Sequence, residues 1–268
     1  IMIDMKAGTR SFKKIVGYQR LQELGDQIKP FSYRIKKEDC LDLPPKTYIY
    51  REVELTSDQK KVYKELSDLA VASLDGAVLS VDTVLTQMLR LHQITCGHYK
   101  SDDDVIIPVA NNRLSELMQI LEESSNKVII WATYIQDIQT ILAALKNEYG
   151  DESTVAYYGA VNQDDRNTAI DRFQKDDTCR FFVGNPQTGS MGITLTAADT
   201  VVYYSNSYNL EHRLQSEDRA HRIGQEKNVL YVDLICRGTI DSKIVKALRD
   251  KKNIAQQVMG DDWKQWLT

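Results

Sequence analysis

Two arginines three residues apart, Arg219 and Arg222, are the side chains of this sequence best suited to act on an anion. They close the stretch 184–225, GNPQTGSMGITLTAADTVVYYSNSYNLEHRLQSEDRAHRIGQ. If residues 210–222 are helical, Gln215, Arg219 and Arg222 share one face, because residues three and four apart are helix neighbours. Two guanidiniums kept close repel unless something anionic lies between or before them, and the planar fork matches phosphate oxygens two at a time. The same spacing also suits a solvated helix face paired with carboxylates, and Glu217 and Asp218 lie next door. Upstream, Gly189 and Gly192 sit in the loop Thr188-Gly189-Ser190-Met191-Gly192. There the lack of a Cβ lets backbone approach a phosphate, or simply lets the chain turn.

The elements that must position these residues alternate regularly from Asn112 onward. Leu114, Leu117, Met118 and Leu121 mark a helix, followed by a buried strand at 128–131. Ile138, Ile141, Leu142 and Leu145 mark the next helix, stopped by Gly150, before a strand at 155–158. A helix at 162–173, a strand at 180–183, a strand at 201–204, the arginine helix and a strand at 229–235 follow. Thr239 then opens a helix carrying Ile240, Ile244, Val245 and Leu248. Strands alternating with helices of this length predict βαβ units and a parallel sheet, and five apolar strands predict helices on both faces. In such sheets the ligand crevice lies beyond the carboxyl ends of the strands. The loops after Val183 and Tyr204 and the start of the arginine helix then share one edge.

Before this region, residues 48–55 (Tyr48, Tyr50, Val53, Leu55) read as an extended strand crossing a linker. Thr56-Ser57-Asp58-Gln59 has the form of a capping box, opening a helix with Val62, Tyr63, Leu66, Leu69 and Ala70 on one stripe. A turn at Gly76 leads to a helix over 82–95, with Leu85, Met88, Leu89 and His92 spaced for burial and Gly97 as its stop. His92 reads as a core or interface histidine rather than a ligand. Residues 101–104 form an acidic tip.

Composition bounds the function. Net charge is −4, so a nucleic-acid site has to be a local patch on an acidic protein. The content of 42% hydrophobic and 27% charged residues is that of a soluble globular chain. Cys40, Cys96, Cys179 and Cys236 lack CxxC spacing, which favours reduced thiols in an intracellular protein, and Cys96-Gly97-His98 is too short for a zinc site. No apolar run approaches the roughly 20 residues of a membrane helix. The chain begins at Ile1, as a piece of a longer protein does. A phosphate-cradling GxxxxGK[ST] loop and an accompanying Mg²⁺ carboxylate, which a self-sufficient nucleotide hydrolase needs, are missing from the sequence. Trp131 and Tyr134 could stack on bases, although an aromatic that ends a buried strand reads first as core.

Read as whole strings, these segments resemble the C-terminal ATPase lobe of the Swi/Snf-type DNA translocases, within the superfamily-two helicases. QSEDRAHRIGQ is similar to their motif VI and TGSMGITLTAAD to their motif V. Residues 127–134 resemble motif IV, and 159–173, with Arg166 inside, resemble motif IVa. LRLHQITCGH resembles the helix pair before the second lobe, residues 30–37 with 43–46 the inter-lobe linker, and Arg237-Gly238-Thr239-Ile240-Asp241 the closing strand–helix signature. The likeness runs from about Pro30 to Lys252.

The resemblance implies an α/β fold: a RecA-like parallel sheet with helices on both faces (111–268), preceded by a linker (1–55) and a helical annex (56–110). It implies the second ATPase lobe of an ATP-dependent double-stranded DNA translocase, with Arg222 and Arg219 catalytic and Gly189, Gly192 and Gln215 on the nucleotide side. Thr133, Arg166 and Thr188 become the DNA-binding candidates. ATP and Mg²⁺ would be held mainly by an N-terminal lobe of the same polypeptide, inside a bacterium, a phage-infected cell or a nucleus. Another superfamily-two DNA or RNA helicase, or a non-hydrolysing DNA-binding regulatory module, are the alternatives.

Several positions depart from the family pattern. Arg34-Ile35 stands for a double arginine, Trp131-Ala132 for Phe-Ser, and Gly159-Ala160 for Gly-Ser/Thr. Gly189-Ser190-Met191-Gly192 lacks the usual Gly-Gly pair, Thr194 replaces an asparagine, and Tyr208-Asn209-Leu210 stands for Trp-Asn-Pro. The lost hydroxyls put DNA-phosphate contacts at Ala132 and Ala160 in doubt, and the pattern points to a divergent, bacterial or phage branch.

Overall fold

The computed structural model describes residues 2–7, 10–15, 19–33, 41–74, 81–100, 105–189 and 192–250. The Arg34–Lys37 stretch, Cys40, the Gly76 turn, the acidic tip at 101–104 and Ser190-Met191 lie outside the described residues. An antiparallel hairpin, β1 (Met2–Ala7) and β2 (Arg10–Ile15), and a short helix, α1 (Leu21–Ile28), come first. The chain then enters β3 (Lys46–Glu52) and the helix pair α2 (Ser57–Leu74) and α3 (Val81–Cys96). A small hairpin, β4 (His98–Lys100) and β5 (Ile106–Pro108), follows. After it come α4 (Arg113–Glu123), β6 (Lys127–Trp131), α5 (Ile135–Tyr149), β7 (Thr154–Tyr157), α6 (Gln163–Lys175) and β8 (Phe181–Gly184). A single helical turn, α7 (Pro186–Gly189), leads toward β9 (Ala198–Tyr203), α8 (Leu210–Ala220), β10 (Val229–Ile235) and α9 (Ile240–Arg249).

Six strands form one sheet in the order β3-β10-β9-β6-β8-β7, every pairing parallel. The interior strands are continuous apolar runs because both their faces are covered. On one face lie α4 and α5, packing Leu117, Ile120, Leu121, Ile138, Ile141 and Leu145. On the other lie α6, the segment Ile193–Leu195 and the end of α8, packing Ala169, Phe173 and Ala220. The strand expected to cross the linker is instead the sixth member of the sheet. It pairs with β10 from Val229↔Lys46 to Ile235↔Glu52, at the edge, where Tyr48, Ile49 and Tyr50 are left partly exposed.

The annex packs on the last helix. Tyr63, Met88, Leu91 and Ile94 share a core with Ile240, Ile244 and Leu248, and Tyr63 Oη accepts from the Ile240 N–H at 2.9 Å. Both halves of the Thr56 capping box form, Gln59 N to Thr56 Oγ1 at 3.2 Å and Thr56 N to Gln59 Oε1 at 3.1 Å. Leu69 and Leu89, expected in buried stripes, are 64% and 38% exposed. Six residues beyond Tyr63, Leu69 lies about 120° round the helix from the seam, and Leu89 stands one step off the Leu85–Met88–His92 row.

A fully buried arginine ties these layers together. Arg113, at the start of α4, donates to the carbonyls of Thr95, Tyr204 and Leu234 and to the Asp241 carboxylate. Asp241 also accepts from Thr95 Oγ1 at 2.7 Å and from the Cys236 N–H at 3.0 Å. Annex, sheet and closing helix therefore meet at one ion pair. Among the described residues no helix is long and apolar enough to cross a membrane.

Candidate functional site

The arginine helix α8 starts just past the carboxyl end of β9. Asn209 caps it, its Oδ1 accepting from the Glu211 N–H at 2.8 Å. At the far end the two arginines turn onto the segment that leads into β9. Arg219 is 8% exposed; its Nε donates to Gln215 O at 2.9 Å and its Nη1 to Ile193 O at 3.4 Å. Arg222 is half-buried, with Nη1 donating to the carbonyls of Gly192 (3.2 Å) and Ile193 (3.3 Å). Among the described residues its Nε and Nη2 have no partner and no carboxylate pairs with it. Gln225 locks the turn that follows, donating to the carbonyls of Ala198 and Ala220 at 2.9 and 3.1 Å.

The electrostatics follow from that geometry. Burial, and then the neighbouring Arg222 charge, lower the proton affinity of Arg219, against the raising pull of Asp218. The nearby carboxylates also serve other partners. Glu217 takes Arg213 Nε at 2.8 Å, Lys46 Nζ at 3.1 Å and Tyr48 Oη at 2.7 Å, and Asp218 lies 3.4 Å from Lys46 Nζ. With Arg219 buried and both arginines bonded to loop carbonyls, the pair is not the ordinary solvated face. Gln215 shares its helix face but hydrogen-bonds Glu211 Oε1 at 2.9 Å, which stiffens the helix.

The two glycines have different causes. At Gly192 φ is +66°, which only glycine adopts cheaply, and its carbonyl is one of those that hold Arg222. A Cβ on Gly189 would lie 2.5 Å from Cη2 of Trp131. Close packing of α7 on the indole, rather than phosphate approach, therefore requires the glycine at 189. Trp131 is wholly buried, so it is core and not a base-stacking platform.

Thr133 and the turn that carries Thr188 are tied together at the carboxyl edge. Asn185 links them: its Nδ2 donates to Thr133 O at 2.8 Å, its Oδ1 accepts from Gln187 N at 2.8 Å and its carbonyl from Gly189 N at 2.9 Å. Thr133 N donates to Ser205 Oγ at 2.8 Å, and Thr133 Oγ1 to Ser205 O at 3.1 Å. Arg166, in the first turn of α6, stands over the Tyr157 ring at 5.9 Å, with its buried Nε unpartnered. Thr133, Thr188 and Arg166 thus follow the ends of β6, β8 and β7, three adjacent strands. The arginine pair lies at the other end of α8 and reaches the loop after β8 through the Gly192 carbonyl.

Similar proteins share this arrangement of strands and helices. The Sulfolobus solfataricus SWI2/SNF2 ATPase core in complex with dsDNA matches 90% of the chain at TM-score 0.63 and 26% identity, over 53% of its own length. The C-terminal part of the Fun30 ATPase domain matches 84% of the chain and 97% of itself at TM-score 0.62 and 19% identity, a likeness of fold. The CHD3-type chromatin-remodeling factor PICKLE of Arabidopsis thaliana is 28% identical over 271 residues, covering 93% of this chain and 19% of that protein. The model of the helicase conserved C-terminal domain matches residues 110–224. The chain carries a helicase conserved C-terminal domain, similar to the C-terminal lobe of Swi2/Snf2 ATPases. The matched residues of this lobe take in every candidate named above, and the chain spans about a fifth of the length of its plant relative.

Sequence reasoning about the lobe missed Arg213, one turn before the noted face. It is buried, donates to Asn206 Oδ1 at 2.6 Å and to the Asp233 carboxylate, and stacks 3.6 Å over Tyr203. Burial works against the charge of Asp233, but Arg213 and Arg249 outweigh it and hold the carboxyl below its usual range. The signal was available: Asp233 is a lone carboxylate in the apolar run VLYVDLI. Through Glu217, Lys46 and Tyr48 the same network fixes α8 to β3, so the edge strand helps aim the arginines.

Proposed function

We propose that this lobe is the second half of an ATP-driven double-stranded DNA translocase, closing over a nucleotide held mainly by a first lobe of the same polypeptide. The observation that carries the reading is Arg222. Loop carbonyls grip one edge of its guanidinium, the Nε–Nη2 edge is left open, and a second guanidinium stands beside it. A phosphate oxygen pair fits that open edge and removes the repulsion between the two arginines. Phosphoryl transfer needs charge stabilisation and positioning, which a preorganised arginine supplies at the terminal phosphate. Arg222 is the finger, Arg219 supports it, Gln215 keeps the helix straight, and Gly192 shapes the loop that holds the finger. Gly189 serves the nucleotide side indirectly, by seating the motif V turn on Trp131. In this reading Mg²⁺ sits mainly on the first lobe, where it would neutralise charge on the phosphates.

DNA lies across the carboxyl edge, with Thr133, Thr188 and Arg166 on its backbone. The Thr133 hydroxyl exchanges the Ser205 carbonyl for a phosphate oxygen, and Arg166 offers the outer edge of its guanidinium. So few contacts on an acidic chain give weak, sequence-tolerant binding. The 268-residue chain titrated with unrelated duplexes should bind all of them alike. Log affinity should fall against log salt with a slope of about −1, since each neutralised phosphate contributes about 0.9 and only Arg166 of the three is a cation. Tight binding to one sequence at physiological salt would instead favour the regulatory module.

A further inference from the structure

Thr133 and Tyr134, the two residues that turn the chain from β6 into α5, are gripped from beneath by buried polar side chains. The first branch begins at Ser205, which is wholly buried just past β9. Its Oγ accepts from the Thr133 N–H at 2.8 Å and donates to Asp137 Oδ2 at 3.1 Å. Asp137, 3% exposed in the first turn of α5, has its other oxygen 3.4 Å from Nδ1 of His98, at the end of the annex. The second branch begins at Tyr134, whose hydroxyl lies 2.9 Å from His92 Nδ1 and whose ring meets His98 edge-on at 5.1 Å. His92 Nε2 faces Asp241 Oδ1 at 3.7 Å, an arrangement that favours the imidazole proton on Nε2 and leaves Nδ1 to accept a hydrogen bond from the Tyr134 hydroxyl.

Five polar groups are buried to hold this turn, and each is costly without its partner. What they fix is specific. The Thr133 N–H is tied to Ser205 Oγ, whereas the Thr133 hydroxyl, a rotor, can leave the Ser205 carbonyl without moving the backbone. We infer that Ser205 and Asp137 are positioning residues for DNA engagement, through which the helical annex holds the DNA-facing turn in place. This rests on the proposal that Thr133 meets a DNA phosphate. Ser205 and Asp137 touch no DNA themselves; they keep the Thr133 hydroxyl at the height of Asn185 and Thr188 on the neighbouring strand end.

The test uses the full-length protein and reads the duplex concentration giving half-maximal ATPase stimulation, the turnover at saturating duplex, the KM for ATP and the melting temperature. Ser205→Ala and Asp137→Leu should each raise the half-maximal duplex concentration about tenfold, the effect of one lost positioning hydrogen bond. Turnover at saturating duplex and the KM for ATP should stay within about twofold. Ser205→Ala leaves the buried Thr133 N–H unpaired and can lose stability, so Asp137→Leu, of similar shape but without an acceptor for Ser205, carries the result if the first variant melts below the assay temperature. A merely structural role moves the melting temperature alone; an unchanged half-maximal duplex concentration in folded Asp137→Leu protein overturns the inference. Thr133→Val separates the two levels. If it leaves duplex stimulation at the parent value, the phosphate reading of Thr133 fails and the inference fails with it. If it weakens stimulation while Ser205→Ala and Asp137→Leu do not, the positioning role alone is wrong.

Discussion

Arg222→Ala in the full-length protein should lower DNA-stimulated ATP hydrolysis by roughly 10³-fold or more, the range in which arginine fingers act. Nucleotide binding should stay within a few-fold of the parent, because the proposed reading gives the phosphate loop and Mg²⁺ to the other lobe. The melting temperature should hardly change, since Arg222 is half-buried and its two bonds reach only loop carbonyls. Arg222→Lys should restore little. An ammonium on a flexible stem cannot hold the Gly192 and Ile193 carbonyls on one edge and a phosphate on the other. Arg219→Ala should also be damaging, but for two reasons that must be separated. It removes a neighbouring charge, and it opens a hole beneath Ile193 where Arg219 is buried. Melting measured beside turnover tells the two apart.

The second large effect concerns stability. Arg113→Ala should destabilise the lobe by about 3–5 kcal/mol in denaturant melts, because it strands the buried Asp241 carboxylate and the carbonyls of Thr95, Tyr204 and Leu234. The same cluster sets the response to acid. Burial lowers His92 to about 4 from 6.5, against the raising pull of Asp241. The unfolded chain therefore takes up a proton that the folded chain refuses. The His92 contribution is complete above pH 6.5 and is lost between 6.5 and about 4, a change on the order of 3 kcal/mol. Burial opposes the charge of Asp241, but Arg113, His92 and the bonds from Thr95 and Cys236 outweigh it, leaving its carboxyl below the usual range. Its contribution is present above the unfolded value of about 3.9 and is lost only as pH falls further, through the folded value. His92→Asn should flatten the profile between pH 6.5 and 4 and leave the decline below it. A wild-type profile level across that window would contradict the burial of a neutral imidazole.

Much of this architecture is written in the residue pattern. VIIW and FFVG are apolar without interruption, and VLYVDLI is broken only by Asp233, because both faces of their strands are covered, and that pattern survives in a single sequence. β3 was harder to see as sheet, since an edge strand shows one side to solvent and alternates like a linker. The arginine pair was legible from spacing, since the helical period is local. Its surroundings were not: what makes Arg222 notable is that Glu217 already has Arg213, Lys46 and Tyr48, contacts across as many as 171 residues of chain. Gly189 shows the same limit. A glycine beside a phosphate and a glycine beneath a tryptophan read alike until Trp131, 58 residues earlier, is placed against it. Ser205 and Asp137 gave no signal at all, because a buried serine and an acid in a helix's first turn are ordinary until one finds what they hold.

The central claim is that this lobe supplies arginines to a nucleotide site it cannot build alone. The direct measurement compares ATP turnover per mole for the 268-residue chain and for the full-length protein, side by side at saturating Mg²⁺-ATP with and without duplex DNA. The chain alone should remain at background in both conditions, while the full-length protein hydrolyses ATP and is stimulated by the duplex. Duplex-stimulated turnover by the isolated chain would contradict the claim.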